Sequence, residues 1–406
     1  MLDILRIILV FAAILLLLRL KWNIGPVMVV ASILLFILYL VPLPVVFTTV
    51  KTAVADPVTV KLFFALTLIR VLELILREQN VMKMMMEVSQ KILKKRRAVI
   101  VSMPLLIGLL PSLGGAYFSA PMVEESTRGL AMSPEEKGFI NYWFRHPWEF
   151  ILPLYPGILL ASAIANIELR SFILANTPYA LLIAGTGFLF SMRGMNDRDG
   201  AEGPETGEGG NDAPVFGSGA IWNFLPIVFI LVLVMGFHME LHYALGITIT
   251  VLFFHFRLGA KEIFRVMKYG FTPDVFVLIF GTMLFKFAME SSGAVEHLNR
   301  FFTESGIPLL PVLFMLPFVS GLLTGLTVGF VGSTFPLIIS LTGGAHLGQL
   351  SFAFASGFIG VLLSPVHLCL VLTREYFKAD AWGIYRKTLR ASGIVMVAAL
   401  IEYLIL

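Results

Sequence analysis

Apolar runs long enough to cross a bilayer recur along the whole chain. They fall near residues 2–18, 24–41, 57–77, 98–130, 147–168 and 174–192, and again near 221–236, 240–256, 273–290, 308–342, 350–373 and 389–406. Short polar or Pro-containing segments separate them. Residues 193–219 break the pattern: they are rich in Gly, Asp and Glu, hold no apolar run, and could not satisfy their backbone inside hydrocarbon. The pattern therefore predicts a cytoplasmic linker over 193–219 between two membrane-embedded halves, 1–192 and 220–406. The first run ends at Arg19 and Lys21 without a small-residue cleavage site, so it is expected to be a retained helix rather than a signal peptide.

Composition agrees. With 58% hydrophobic and 14% charged residues and a mean hydropathy of +0.88, the chain carries more apolar side chains than a water-soluble domain can hide, so an all-α polytopic protein of the cell membrane is expected. The net charge of +4 is explained by basic loops at the membrane surface, and nucleic acid is not an expected partner. The single Cys369 rules out an internal disulfide and is taken to exclude any cysteine-based metal or redox site. Asp197-Arg-Asp-Gly200 resembles the start of a calcium loop but lacks the later ligands, and no phosphate-binding glycine loop is present. Neither His-Glu-x-x-His nor Gly-x-Ser-x-Gly occurs, so no cofactor, no resident metal and no enzymatic activity are expected.

The two halves repeat their landmarks at a nearly constant spacing. Pro57 maps to Pro273, Arg70 to Lys286, Pro121 to Pro336 and Pro147 to Pro365. Basic residues in short loops stay cytoplasmic. Lys91, Lys94, Lys95, Arg96 and Arg97 follow the third run; Arg257, Lys261, Arg265 and Lys268 follow the second run of the second half; Arg374, Lys378, Arg386, Lys387 and Arg390 follow its fifth. These positions agree only if the fourth run of each half, 98–130 and 308–342, re-enters as a hairpin. The expectation is two inverted repeats, each of five transmembrane helices, one of them broken, plus one re-entrant hairpin, with both termini outside.

Candidate chemistry sits at the interruptions. Met103-Pro-Leu-Leu-Ile-Gly-Leu-Leu-Pro-Ser-Leu-Gly-Gly-Ala-Tyr-Phe-Ser-Ala-Pro121 and Gly321-Leu-Leu-Thr-Gly-Leu-Thr-Val-Gly-Phe-Val-Gly-Ser-Thr-Phe-Pro336 place Pro, Gly and hydroxyl residues where a plain spanning helix would use Leu. Non-helical backbone at that depth is tolerated where protein covers it or where it lines a wet cavity; close helix packing through Gly321, Gly325 and Gly329 is the alternative. Arg145-His-Pro-Trp-Glu-Phe-Ile-Leu-Pro-Leu-Tyr-Pro-Gly157 and Leu363-Ser-Pro-Val-His-Leu-Cys369 interrupt the next run of each half and offer His146, Glu149 and His367 as proton carriers or polar ligands. Against that, Tyr142, Trp143 and Trp148 suggest an interfacial aromatic belt around His146. Arg70 and Lys286 are spaced to pair with Glu73 and Glu290, or they attract an anion. Glu124 and Glu125 are further coupling candidates, or plain surface carboxylates.

This pattern resembles the ion transporter superfamily of secondary carriers over nearly the whole chain, and the segment 111–121 resembles the prokaryotic family catalogued as domain of unknown function 401, distantly similar to gluconate permeases. The resemblance implies that hairpin tips at Ser112, Gly114, Gly115 and Ser119, and at Gly332, Ser333 and Thr334, hold substrate and coupling ion, with the breaks near Pro147 and Pro365 completing the sites. Dicarboxylate importers of the superfamily carry Ser-Asn-Thr at both tips; this chain has Ser-Leu-Gly and Gly-Ser-Thr. The expected function is an elevator-type carrier of a small organic anion, a carboxylate or sugar acid, driven by a proton gradient or by Na+ bound at the tips. A homodimer is consistent with the resemblance. An ion or drug exporter of the same fold is the alternative, followed by a non-transporting membrane protein such as an intramembrane hydrolase or an assembly factor.

Overall fold

The computed structural model describes residues 2–93, 95–111, 115–191, 221–297, 300 and 308–405. Among them every regular element is helical, the form in which an apolar segment satisfies its own backbone. The helices are α1 Leu2–Arg19, α2 Ile24–Leu38, α3 Leu43–Ala55, α4 Pro57–Glu78, α5 Val81–Ile92, α6 Arg96–Gly108 and α7 Gly115–Ser126. There follow α8 Pro134–Trp143, the short α9 Trp148–Ile151, α10 Pro156–Ala165 and α11 Leu169–Ser191. Beyond 220 come α12 Leu225–Leu231, α13 Leu241–His255, α14 Ala260–Gly270, α15 Pro273–Ser291, α16 Leu309–Thr324, α17 Thr327–Leu341, α18 Leu347–Leu362, α19 Leu368–Phe377 and α20 Ala381–Ile405.

Local chemistry fixes several starts. Asp56 accepts a hydrogen bond from the Thr59 amide (3.0 Å) with Pro57 at the first helical position of α4. Ser133 and Glu136 cap α8 reciprocally, at 3.3 and 3.0 Å. The same end of α8 is tied to α20, because Glu136 also takes Lys387 at 3.1 Å.

Pro134–Ala165, Leu169–Ser191, Ala260–Ser291 and Ala381–Ile405 are helical stretches long and apolar enough, by length and composition, to cross a membrane. Large apolar side chains such as Leu40, Phe254 and Ile405 face outward, so the outer surface suits lipid. The protein is a polytopic helical membrane protein.

The buried apolar side chains fall into two clusters. The smaller gathers α1, α2, α3, the C-terminal half of α15 and Leu337 of α17; the larger joins α4–α14 and α16–α20 and takes in Val275, Ile279 and Met283 of α15. Glycine permits the closest crossings. A Cβ on Gly321 would run into the Gly357 carbonyl, and one on Gly360 into that of Phe318, which brings α16 and α18 into backbone contact. Gly25 and Gly281 do the same for α2 and α15.

Helices α3, α5, α8 and α14 lie outside the apolar runs that the sequence marks. Charged or amide residues interrupt them (Lys51; Lys83; Glu135, Lys137 and Asn141; Lys261, Arg265 and Lys268), and α14 shows why that need not matter. It is amphipathic, with Val266 and Gly270 packed on α4 and its basic face outward, where Arg265 pairs with Glu78 at 2.6 Å. The broken helix therefore begins at Pro134 rather than near 147. The segment 193–219 lies outside the described residues.

Because Gly321 and Gly360 sit at backbone contacts whereas nothing lies within 4 Å of a Cβ on Gly393, Gly321→Val is expected to cost about 3 kcal/mol by overpacking. Gly393→Val should be close to neutral. Thermal unfolding of the purified variants in detergent checks the contrast; equal stability of the two would contradict it.

Candidate functional site

Four interruptions of the helical backbone meet at one place. The first break runs from Phe144 to Pro147 and again through 152–155, dividing α8, α9 and α10. The second lies at 363–367, between α18 and α19. The α16–α17 hairpin turns at Gly325, whose φ of 63° is the left-handed conformation glycine adopts without strain. That tip rests on both breaks. A Cβ on Gly325 would lie 2.9 Å from the His367 amide nitrogen, and one on Gly157 would overlap the Thr327 side chain. The end of α6 completes the junction, since a Cβ on Gly108 would lie 2.8 Å from the Trp148 ring.

Each interruption frees carbonyls, and side chains from neighbouring elements donate to them. The helical pattern tightens at the end of α6, where Leu109 N–H bonds Leu106 O, and the unused carbonyls of Leu105 and Gly108 accept from Trp148 Nε1 (2.7 Å) and the Tyr155 hydroxyl. The Leu362 carbonyl at the end of α18 takes the Tyr142 hydroxyl at 2.8 Å. Trp143 Nε1 donates to Ile183 O at 2.7 Å. Tyr142 and Trp143 are fully buried, so they are donors to interior carbonyls and not the interfacial belt that their clustering suggests.

Two histidines are held the same way. His146 Nδ1 lies 2.6 Å from the Tyr142 carbonyl and His367 Nδ1 2.7 Å from that of Gly325. A carbonyl can only accept, so both Nδ1 atoms carry hydrogens, and in the neutral rings both Nε2 atoms present lone pairs. Those two Nε2 atoms face each other at 3.1 Å. Around them stand the Cys369 thiol, with all three donor atoms within 4.8 Å of one another, and Glu149, whose Oε1 lies 3.9 Å from His146 Nε2. The other Glu149 oxygen accepts from Thr327 at 2.6 Å, tying α17 to the first break. Arg145, only 4% exposed, sits in that break with Nε and Nη1 buried and without a hydrogen-bond partner among the described residues, within electrostatic reach of Cys369 and Tyr155. The junction can thus hold a cation between its imidazoles and an anion against its guanidinium.

The sequence candidates divide accordingly. His146, Glu149, Pro147 and His367 come together; Pro365 lies in the second break with its ring exposed. Ser112 and Gly114 lie outside the described residues. Gly115 and Ser119 are buried at the start of α7, where the Ser119 hydroxyl donates to Asn141 Oδ1 at 2.6 Å. The second tip falls at Gly325–Leu326. Gly332, Ser333 and Thr334 lie inside α17, fully packed, with Ser333 2.8 Å from Ser320 and Thr334 bonded to the Phe330 carbonyl of its own helix. Glu124 is half-exposed and pairs with Lys137 at 2.8 Å, and Glu125 is exposed. Glu73 is bonded to Arg77, and Arg70 instead stacks over Tyr269; Lys286 lies over Phe287. Sequence reading passes over Arg145, Cys369 and Asn141. An arginine inside a Pro-rich apolar run was the one available signal.

An open cleft of about 390 Å³ lies elsewhere, where α4 meets the α10–α11 turn and residues 238–242. Its charges are already matched: Lys61 with Glu240 at 2.7 Å and His238 with Glu168 at 3.3 Å. The bond from His238, then that from Ser171, holds the Glu168 carboxyl below its ordinary range. The helix breaks, with an unmatched buried cation, are the better candidate.

A family model described as "Protein of unknown function (DUF401)" matches residues 2–406. No curated protein matches the chain in sequence. Among solved structures, the chain is similar to the YdaH transporter of Alcanivorax borkumensis, whose crystal structure is described as revealing an unusual topology. The TM-score is 0.56 and the identity 13%, over 88% of this chain and 86% of that one. At that identity the likeness concerns the fold.

Asn141 links α7, α8 and α19, donating to Ala116 O and to Thr373 Oγ1, both at 2.9 Å, while accepting from Ser119. Asn141→Ala takes a donor from the Ala116 carbonyl and the Thr373 hydroxyl, while Ser119 keeps the Gly115 and Ala116 carbonyls; it is expected to cost about 3 kcal/mol, against about 1 kcal/mol for Ser119→Ala. Denaturation in mixed micelles measures both; a larger loss from the serine would refute this ranking.

Proposed function

The chain belongs to DUF401, a family described only as one of unknown function, and from the site itself we propose that it is a secondary active transporter moving a small organic anion across the cell membrane. The carrying observation is Arg145. A guanidinium buried at a helix break with two unbonded nitrogens is costly unless an anion completes it, and its fork matches a carboxylate. Substrates of the carboxylate or sugar-acid kind fit that fork.

The architecture supports transport. The junction is built from segments of both sequence halves, 1–192 and 220–406, which we read as inverted repeats joined by a cytoplasmic linker at 193–219. Helices α6–α7 and α16–α17 are then re-entrant hairpins, and both chain termini face outside. The fold is similar to that of a protein described as a transporter. In this reading the carrier is an elevator, with the hairpins and broken helices moving against α1–α3 and α15. A proton or sodium gradient supplies the energy, with His146 and Glu149 at the junction as coupling groups. Two copies in a dimer would anchor the scaffold.

Reconstituted protein should take up organic acids under an imposed pH or sodium gradient. Arg145→Gln, which keeps a polar side chain in the break, should raise the half-saturating concentration roughly 30-fold, the equivalent of about 2 kcal/mol of lost charge-assisted bonding, while the variant stays monodisperse. Arg145→Lys should fall between. Absence of any acid movement under every gradient, from protein that is folded and correctly inserted, would overturn the reading.

A further inference from the structure

We propose that His146, His367 and Cys369, with Glu149 as fourth donor, form a binding site for one divalent transition-metal ion of the zinc kind at the junction of the two helix breaks. The two Nε2 lone pairs at 3.1 Å repel one another unless something positive lies between them, and the tautomers are not free to relieve this. Turning either ring's proton onto Nε2 would leave Nδ1 facing the Tyr142 or Gly325 carbonyl as an acceptor against an acceptor. An imidazole whose Nδ1–H is held by a backbone carbonyl and whose Nε2 points at other donors is in the state in which histidine ligates metals.

The donor set and its spacing fit such an ion. Tetrahedral zinc at about 2.0–2.1 Å from nitrogen separates two imidazole nitrogens by about 3.3 Å, close to the 3.1 Å observed. Nitrogen and sulfur on the same ion would be about 3.6 Å apart, so donors now spread over as much as 4.8 Å contract on loading. Glu149 Oε1, 3.9 Å from His146 Nε2, is free because Thr327 occupies the other oxygen. A proton shared by the histidines would relieve the nitrogen pair alone. It would leave unexplained why a thiol and a carboxylate gather around the same point.

Charge favours the same answer. A divalent ion, a thiolate and the Glu149 carboxylate sum to neutrality, so the Arg145 guanidinium keeps its full charge for an anion. Counting cysteines in the sequence could not disclose this site, because its donors come from positions 146 and 149 on one break and 367 and 369 on the other. Loading would also join those breaks to the α16–α17 tip, since His367 holds the Gly325 carbonyl.

The test is spectroscopic and does not depend on transport. Full-length protein, purified in detergent and stripped with a chelator, is titrated with Co2+ as the probe and then with Zn2+. We expect one cobalt per chain, the intense visible bands of a tetrahedral ion, a thiolate-to-cobalt charge-transfer band, and displacement of all three by zinc. Cys369→Ser should lose the charge-transfer band, and His367→Gln, which retains a donor for the Gly325 carbonyl, should weaken binding by 10-fold or more. Cobalt that binds without a tetrahedral spectrum overturns the proposal, as does a spectrum unchanged in both variants. So does a histidine pair that titrates with pH while the protein takes up no cobalt, the signature of a shared proton alone.

Discussion

A carbonyl released by a helix break has no water to turn to in an apolar interior, and the arrangement around the two breaks follows from supplying each one with a donor. Leu105, Gly108, Tyr142, Gly325 and Leu362 each present such an oxygen, and Trp148, Tyr155, His146, His367 and Tyr142 answer them. In four of these five cases the donor belongs to a different element from the acceptor, so each break is held in shape by another. The Trp and Tyr side chains suit the task because each combines a large apolar body with one polar atom at its edge; the two imidazoles bring a second nitrogen as well. Removing any one donor leaves a buried oxygen unpaired, which costs about 1–3 kcal/mol.

The chemistry of the junction is a by-product of that constraint. By spending Nδ1 on carbonyls, His146 and His367 are forced to aim Nε2 at one another, and the short connections bring Cys369 and Glu149 beside them. Ordinary helices would have placed these residues on outward faces or in regular packing. The same short connections put Arg145 inward with no carboxylate bonded to it. The site is therefore made by interruptions that a structural protein would have no reason to keep.

Much of the fold was legible because its signal is one-dimensional. Apolar runs located most helices, and the Pro- and Gly-rich stretches at 103–121 and 321–336 marked the helix pairs α6–α7 and α16–α17. What failed were positions decided by tertiary packing. Helix α8 was missed because Glu135, Lys137 and Asn141 interrupt its apolar run, yet Glu135 accepts from the Asp380 amide, Lys137 pairs with Glu124 and Asn141 sits in a buried hydrogen-bond network. Residues 332–334 look like a turn in composition; the turn went to Gly325, where the left-handed backbone needs glycine, and the later Gly-Ser-Thr serves the packing of α17. The expected pairing of Arg70 with Glu73 gave way to Tyr269, two hundred residues away in sequence and invisible to helical spacing. Cys369 carries no local pattern and Arg145 only that of a charge inside a Pro-rich apolar run; what distinguishes both is what the fold leaves near them.

The contrast among the three basic residues shows where binding energy can reside. Arg70 and Lys286 spread their charge over aromatic faces, contacts worth roughly 0.5–2 kcal/mol, although Arg70 Nε is also buried without a bond among the described residues. Arg145 goes further, with two of its nitrogens buried and unbonded among the described residues. An uncompensated buried charge costs several kcal/mol, which a stable fold tolerates only if the rest of the junction over-determines the side chain's position. The donors on the freed carbonyls provide that rigidity. On the proposed reading, an arriving anion would recover the desolvation cost already met in folding, so the free energy withheld from stability would become available for recognition, at the point where both breaks and the α16–α17 tip meet.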